Sequence, residues 1–455
     1  MKPIKITYIG GGSRQWARNL ISDLALEKRL RGEVVLHDID HNAALDNQRL
    51  GQLMMQKTGN PKRWQFRAER DLRMALKNAD FVFISILPGT FDTMHAYVHE
   101  PEKWGIYQSV GDTVGPAGIF RALIMMPMYH TFAKAIEAIC PDAWVVNFTN
   151  PMTLCVQMLY HAFPKIKAFG NCHEVFFVQR ILARALKEQT GIEVPYHAIQ
   201  INPKGLNHFT WIDYASYQNR DLIPIYRAFA EKYHAEGLHG DDWVHVGPFG
   251  SAERVKLDLF LQHNIIAAAG DRHLVEFLPQ DMYLTDLETI KSWRFYLTPV
   301  ALRQTLQQKR SAQTKAWISD PSAIQLEPSG EEGIAQIKAL LGLEPLTTNV
   351  NLPNQGQIPN LPLGHIVETN ALFRYNDLRP IFAGALTGFP KTMTDTHIKI
   401  HRLLLQAYDQ KSLAYAYEAL TLDPLSAKLS KKALSEMFHH ITRKLEPYLD
   451  HYKPL

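Results

Sequence analysis

The chain has 455 residues, 46% of them hydrophobic, which is enough apolar material for two or three domains' worth of packed core. Its 49 basic and 45 acidic residues give a formal charge of +4, which argues against a nucleic-acid-binding protein. No stretch is apolar for long enough to span a membrane, and the three cysteines form no CxxC pair or disulfide framework. We therefore expect a cytoplasmic protein that binds neither nucleic acid nor membrane.

The first 170 residues alternate strand and helix patterns. Apolar strands are predicted at "IKITYIG", "EVVLHDID", "DFVFISIL" and "AWVVNFTN", and segments with helical apolar spacing separate them. Ser13 is predicted to cap the first helix, and Pro127 is predicted to kink or split the helix that begins near Phe120. This alternation is typical of a doubly wound parallel sheet with helices on both faces.

The pattern changes after Gly191. "HFTWIDYASYQ" alternates only in part, residues 221–345 are mainly helical, and the chain is helical again from Thr396. We therefore predict a Rossmann-like domain over residues 1–195. Residues 196–455 are predicted to form a mixed α+β, mainly helical domain.

A glycine-rich turn, "YIGGGSRQW", follows the first strand and precedes the first helix. Gly10, Gly12 and Ser13 are candidates to hold a dinucleotide pyrophosphate, although Gln15 stands where a third glycine is usual. Asp38 ends the second strand, where a carboxylate binds a ribose 2′-hydroxyl and repels a 2′-phosphate, so NAD is favoured over NADP. The alternative is a tight turn with no ligand.

Two further strand ends carry polar or turn residues. "ISILPGT" includes Pro88 and "NFTNP" includes Asn150, and both segments are predicted to reach the edge of the sheet where ligands bind in open α/β folds. The second segment resembles the corresponding strand end of lactate and malate dehydrogenases. One hypothesis is therefore hydride transfer on a small 2-hydroxy acid.

A second group of candidates centres on Cys172, in "GNCHEV", and His208, in "GLNHFTW". A thiolate and an imidazole from neighbouring strand ends can hold a divalent metal and leave positions open for substrate oxygens. The alternatives are a buried core cysteine and a structural histidine, or a Cys/His protease, for which no local signature is present.

Charged residues also lie inside apolar frames in two segments. "YQSVGDTVGPAGIFRAL" contains Asp112 and Arg121, and "AAGDRHLVEFLP" contains Asp271, Arg272 and His273. Buried charge without a partner is costly, so such packing favours a site. The alternative is the start of a surface helix that Asp271 caps.

Together these segments resemble the NAD- and metal-dependent glycosidases of glycoside hydrolase family 4, and the resemblance covers essentially the whole chain. It rests on the order and spacing of the motifs above, with "NVNLPNQGQIPNLP" and "IVET" further along the chain. The residues after Cys172 resemble the branch that acts on non-phosphorylated sugars, and most of all the members that hydrolyse α-galacturonides. α-Glucosidase, α-glucuronidase and α-galactosidase activities are the alternatives within the family.

The resemblance implies NAD+ and Mn2+ as cofactors, with Cys172 and His208 as metal ligands. NAD+ takes a hydride from C3 of the sugar, a base removes the C2 proton, the aglycone leaves by elimination, water adds, and the hydride returns. Phosphosugar-specific members use a tyrosine as the base, and here Asp271 is the candidate. The resemblance also implies a homodimer or homotetramer, with residues 1–195 as the NAD-binding domain and residues 196–455 as the domain for substrate and metal binding and for oligomerisation.

The remaining roles follow from the same resemblance. Asp112 is a candidate general acid or ligand of a sugar hydroxyl, and Asn150 is expected to bind the sugar. Arg272, with His273, is the candidate for binding a uronate carboxylate, and Arg121 is a weaker one. Each arginine could instead be a partner in a structural ion pair.

Overall fold

The computed structural model describes residues 2–454. The strands over this range, numbered β1–β13 in chain order, are Ile4–Ile9, Gly32–His37, Trp64–Glu69, Phe81–Ile84, Trp144–Asn147, Lys167–Gly170, Gln200–Leu206, Phe209–Tyr217, Arg220–Asp221, Ile266–Ala267, Leu346–Pro353, Ile366–Arg374 and Asp377–Pro380.

The α-helices of the same range are numbered α1–α17. They are Trp16–Leu26, His41–Lys57, Leu72–Leu76, Phe91–His99, Gly115–Ile139, Met152–Ala162, Glu174–Thr190, Ile223–Tyr233, Arg254–His263, Asp271–Leu274, Gln280–Tyr283, Leu287–Ser292, Val300–Ser319, Gly333–Leu340, Gly388–Gln410, Leu413–Leu422 and Lys431–Leu445.

One large sheet organises the molecule. Its first half is parallel, in the order β3-β2-β1-β4-β5-β6, which is the arrangement of dinucleotide-binding α/β proteins. The central strands are buried because helices cover both faces, and their continuous apolar runs follow from this. The predicted Rossmann-type fold, followed by a mixed and mainly helical second half, is confirmed.

The second half extends this sheet through antiparallel strands. β11 joins β6 where Asn351 lies opposite Gly170, β12 places Glu368 opposite Asn351, and β7 places Gly205 opposite Glu368. This row of paired residues puts the end of β7 level with the end of β6. The loops that follow the two strands therefore meet on one side of the sheet.

Some details differ from the sequence-based expectations. β3 was not predicted and is an edge strand that pairs only with β2 among the described residues. Helix α5 runs without interruption through Pro127, because the helix is buried on both sides of the proline and packing outweighs one lost hydrogen bond. Helix α1 begins at Trp16 with Gln15 at the N-cap, although the Ser13 hydroxyl still accepts a hydrogen bond from the Trp16 N–H (3.1 Å).

The apolar core lies on both faces of the sheet. The largest cluster of buried side chains joins α4, α5 and α6 to the C-terminal helices α15–α17, and a second packs α1 and α2 on the other face. Over residues 2–454 no helix combines the length and apolar character that a membrane crossing requires. The predicted boundary after residue 195 falls between α7 and β7, and the division into two domains stays a prediction.

Candidate functional site

The glycine-rich turn closes tightly between β1 and α1. Gly10 has φ = +88°, and a Cβ there would lie 2.0 Å from the carbonyl oxygen of Ser85. At Gly12 a Cβ would come within 2.9 Å of the Asp38 carboxylate and 2.8 Å of Ala43. Glycine is therefore required at both positions, by backbone conformation at the first and by close approach at both.

Two polar side chains hold this turn. The Gly12 N–H donates a hydrogen bond to the Asp38 carboxylate (2.8 Å), which also accepts one from the Asp40 N–H (2.8 Å). The Asn47 side chain donates to the carbonyl oxygens of Gly11 (2.8 Å) and Ser13 (2.9 Å). Asp38 is thus fixed beside the glycines at the end of β2, where it was predicted to meet a ribose.

The loops after β4 and β5 lie next to this turn. The buried Pro88 belongs to the first loop, which is tied to the second where the Ile86 N–H donates to the Thr149 hydroxyl (2.9 Å). In the second loop, Asn150 donates weakly to the Asp112 carboxylate (3.4 Å), and its carbonyl accepts from Arg121 (2.9 Å). The predicted cofactor residues and the predicted sugar-binding Asn150 therefore lie along one edge of the sheet.

A cluster of metal-ligand side chains forms around His208. Ligand atoms of Asp112, His208 and His273 all lie within 4.8 Å of one another. His208 occupies the two-residue loop between β7 and β8 with φ = 62°, a strained conformation for a residue with a side chain, which is typical of functional sites. Its Nδ1 pairs with the Thr113 hydroxyl (2.9 Å), and the Thr113 hydroxyl contacts the Asp112 carboxylate (2.7 Å).

A carboxylate stands behind His273. Glu174, at the start of α7, accepts a hydrogen bond from the Gly270 N–H (2.7 Å), and its other oxygen lies 4.0 Å from Nε2 of His273. The rings of His208 and His273 stack with their centroids 3.7 Å apart. The chain thus brings an acid, two imidazoles and a second acid from four separate segments to one point.

Burial and mutual charge shape the protonation of this cluster. Burial by itself would raise the pKa of Asp112, but His273, His208 and Arg121 hold that pKa well below its usual range. Burial also opposes ionisation of Glu174, whose pKa the same histidines and the Gly270 N–H lower to about 2. Burial lowers the pKa of His208 to about 3 and that of His273 below 6.5. Ionised carboxylates beside neutral imidazoles are good ligands for a divalent cation.

Cys172 lies in the loop between β6 and α7. Its carbonyl accepts a hydrogen bond from the Asn349 side chain (3.2 Å), and burial, then the charges of Glu368 and Glu174, raise the pKa of its thiol well above 9.0. A metal would have to displace this proton before the thiolate could bind it. Cys172 is on the same side of the sheet as His208, but it is outside the group of Asp112, His208 and His273.

Asp271 and Arg272 make contacts of a different kind. The Asp271 carboxylate is completely buried and accepts hydrogen bonds from the N–H groups of Val255 (3.1 Å) and Lys256 (3.0 Å), at the start of α9. Arg272 donates to three carbonyl oxygens and one hydroxyl, those of Tyr296, Phe249, Ser109 and Thr298. These contacts favour structural roles over the predicted roles of C2 base and carboxylate ligand.

Four residues around the site were assigned no role from the sequence. Glu174 and Thr113 stand beside predicted site residues in sequence, and Glu276 fixes the 110–111 backbone by accepting from the Val110 (2.8 Å) and Gly111 (2.9 Å) N–H groups. Arg303, on α13, donates to the Val110 carbonyl (2.8 Å). Helix α13 carries no motif, so sequence alone offers no signal for Arg303.

Unpaired polar atoms indicate that the site fits a metal ion. Nδ1 of His273, Oδ1 of Asn150 and Oδ1 of Asn207 are buried without a hydrogen-bond partner among the described residues. Buried polar atoms are rarely left unsatisfied, so a bound ion or substrate is expected to complete them. The glycine turn and Asp38, in turn, fit a dinucleotide.

Comparison with known proteins places this site in a family. The profile of the family 4 glycosyl hydrolases matches residues 5–188, and that of their C-terminal domain matches residues 204–426. An α-galacturonidase of Thermoanaerobacterium saccharolyticum is 49% identical over 99% of this chain and 97% of its own length.

Solved structures agree with the profiles. A crystal structure from Bacillus subtilis, described as a glucosidase, is 44% identical with a TM-score of 0.92 and covers 97% of this chain and 100% of its own. A 6-phospho-α-glucosidase from gut microorganisms, in complex with NAD and Mn2+, has the same fold at 20% identity, with a TM-score of 0.83 over 99% of this chain and 100% of its own. The chain belongs to glycoside hydrolase family 4.

Proposed function

We propose that this protein is an α-galacturonidase that depends on NAD+ and Mn2+. The observation that carries the proposal is the 49% identity to an α-galacturonidase along nearly the whole chain. The site is consistent with it, because a dinucleotide-type turn and a cluster of metal-ligand groups stand on the same side of the sheet. A glycosidase that works with a pair of carboxylates would need neither feature.

The cofactors have separate binding groups in this proposal. Gly10, Gly12 and Ser13 form the pyrophosphate turn, Asp38 binds the ribose, and Pro88 lines the adjacent loop. His208 and Cys172 would hold the metal, and His208 lies in one group with Asp112 and His273. When bound, NAD+ supplies a reversible hydride acceptor for C3 of the sugar, and Mn2+ supplies a Lewis acid for the oxygens at C2 and C3.

We assign removal of the C2 proton to His273. Its pKa is lowered by burial, so the imidazole is neutral and able to accept a proton. The Glu174 carboxylate, 4.0 Å from Nε2, can stabilise the imidazolium that then forms. Asp271 is the other candidate, but its two oxygens are already bonded to backbone N–H groups of α9.

Asp112 and Asn150 are assigned to the sugar hydroxyls. The low pKa of Asp112 means that it accepts hydrogen bonds but has no proton to donate, which favours hydroxyl binding over general acid catalysis. Asn150 leaves Oδ1 unpaired and lies against Asp112, so it can accept from a neighbouring hydroxyl.

Hydrolysis of p-nitrophenyl α-galacturonide tests this function. The α-glucuronide, α-galactoside and α-glucoside serve as comparison substrates, with NAD+, Mn2+ and a reductant each omitted in turn. We expect nitrophenol release that needs both cofactors, is fastest for the galacturonide, and leaves no net NADH. Net NADH from a 2-hydroxy acid, with no glycoside cleaved, would support a dehydrogenase instead.

Two further expectations stay predictions. A homodimer or homotetramer is checked by light scattering of the purified chain, and a cytoplasmic location by fractionation of the source cells.

A further inference from the structure

A galacturonide differs from a galactoside by a carboxylate at C6, so a site that prefers it needs a cation for that group. Three arginines lie close enough to the site for their charge to act on Asp112 or its neighbours, namely Arg121, Arg272 and Arg303. Arginine suits the task because its planar fork matches a carboxylate. A ligand for the substrate carboxylate must have N–H donors that make no hydrogen bond within the protein.

Arg272 and Arg121 are committed to the protein itself. Arg272 uses Nε, Nη1 and Nη2 for four bonds to backbone and hydroxyl oxygens. Arg121 is buried, and it donates from Nε to the Asn150 carbonyl (2.9 Å) and from Nη1 to the Tyr97 hydroxyl (3.0 Å). Both side chains brace loops of the site.

Arg303, in contrast, leaves most of its N–H donors without a hydrogen-bond partner among the described residues. It makes one hydrogen bond, from Nη2 to the Val110 carbonyl (2.8 Å), and its Nε is buried with no partner among the described residues. It forms no ion pair with any carboxylate within residues 2–454, although its charge reaches Asp112 and His273. A buried guanidinium nitrogen with no partner is costly unless a ligand pairs with it, and Arg303 as a whole is only partly buried, so a ligand can reach it.

The position of Arg303 also fits the substrate. Val110 is two residues before Asp112, which the proposed function assigns to a sugar hydroxyl. The guanidinium of Arg303 on α13 therefore contacts the loop that carries the hydroxyl-binding group. Among residues 2–454, no other arginine near the site combines this contact with an unpaired buried donor.

We propose that Arg303 binds the C6 carboxylate of the uronide and sets the preference of the site for uronides over neutral sugars. This inference rests on the proposed function, because it names the group that would recognise a galacturonide. It replaces the expectation that Arg272 serves this purpose. Arg303 acts here as a binding residue, and it takes no part in proton or hydride transfer.

Equilibrium binding to the enzyme loaded with NAD+ and Mn2+ tests the proposal. D-galacturonate and its methyl ester are titrated by calorimetry into the wild type, Arg303→Met and Arg303→Lys, with Lys309→Met as a control for charge loss at an exposed position of the same helix. Arg303→Met should lower the affinity for galacturonate at least about tenfold and leave the ester within about threefold. Arg303→Lys, which keeps the charge but loses the fork, should lie between, and Lys309→Met should match the wild type.

An equal loss for both sugars would overturn the proposal, since Arg303 would then only brace the loop that carries Asp112. Unchanged preference for galacturonate would also overturn it. If Arg303→Met does not fold, Arg303→Lys decides by the same comparison. Failure of the wild type to cleave any galacturonide would count against the proposed function alone, because the binding comparison is read independently of turnover.

Discussion

The imidazole rings of His208 and His273 stack with centroids 3.7 Å apart and 29° between their planes. One ring lies in the β7–β8 loop and the other in the short helix α10. The contact places a proposed metal ligand against a group backed by the Glu174 carboxylate. A proposed metal ligand and a proposed base therefore stand side by side in one small site.

His273→Gln is expected to abolish exchange of the C2 proton. The loss of a positioned base lowers turnover by about 10²- to 10⁴-fold. Exchange is followed by proton NMR in D2O with enzyme, NAD+, Mn2+ and galacturonide. Mn2+ affinity is measured on the same variant, and we expect it to change far less than turnover. Normal C2 exchange in His273→Gln would remove His273 as the base.

Asp271→Ala is expected to reduce stability more than chemistry. The substitution leaves the buried N–H groups of Val255 and Lys256 without acceptors, at a cost of about 1–3 kcal/mol each. Thermal unfolding measures the loss, with the exposed Asp242→Ala as control. C2 exchange lost at an unchanged Tm would instead restore Asp271 as the base.

Cys172→Ser is expected to weaken Mn2+ binding and stop turnover, because a hydroxyl is far harder to deprotonate than a thiol. Calorimetric titration of Mn2+ is the measurement. Cys140→Ser is the matched control, since Cys140 is a free, buried cysteine at the C-terminal end of α5, before β5, whereas Cys172 follows β6. Retained Mn2+-dependent activity would mean that Asp112, His208 and His273 suffice to hold the metal.

Asp38→Ala is expected to weaken NAD+ binding by at least about tenfold, because the variant loses the ribose ligand and the acceptor for the Gly12 N–H. The change should be smaller for NADP+, which the carboxylate repels. Fluorescence titration with NADH and NADPH gives both affinities, with the exposed Asp142→Ala as control. Equal losses for the two nucleotides would show that Asp38 only supports the turn.

Acid is expected to destabilise the fold through three buried histidines that are not among the proposed ligands or the proposed base. Burial lowers the pKa of His397 and of His365 to about 4, and that of the neighbouring His401 well below 6.5. Because the unfolded chain takes up these protons near pH 6.5, stability is complete above that value and falls as the pH drops towards 4. Nε2 of His397 donates to the Phe277 carbonyl (2.9 Å), so His397→Gln can keep a donor there.

Denaturant unfolding at pH 4.5 to 7.5 measures this dependence. The free energy of unfolding should fall less steeply between pH 6.5 and 4.5 in His397→Gln than in the wild type. The exposed His245→Gln should leave it unchanged. An unaltered slope in His397→Gln would assign the acid sensitivity to other groups.

The sequence by itself determined the parallel half of the fold and the glycine-rich turn between β1 and α1. Both are local: apolar runs of strand length alternate with helices, and Gly10, Gly12 and Asp38 act within one β–α–β unit. The order and spacing of the motifs also indicated the family, and Cys172 and His208 were placed on strand ends that do lie on the same side of the sheet. Local sequence rules were wrong for the buried helix α5. It continues through Pro127, because packing outweighs the hydrogen bond lost there.

Only the tertiary structure decided which side chains face one another. His273 and Glu174 are 99 residues apart in sequence, after β10 and after β6, and they meet because the sheet order β10-β8-β7-β12-β11-β6 brings these segments to one side, a consequence of long-range strand pairing. Asp271 and Arg272, beside His273 in sequence, point instead to backbone groups of α9 and of the loops around it, because successive helical residues project in different directions. Arg303 could be found only from its unpaired donor, which no sequence pattern records.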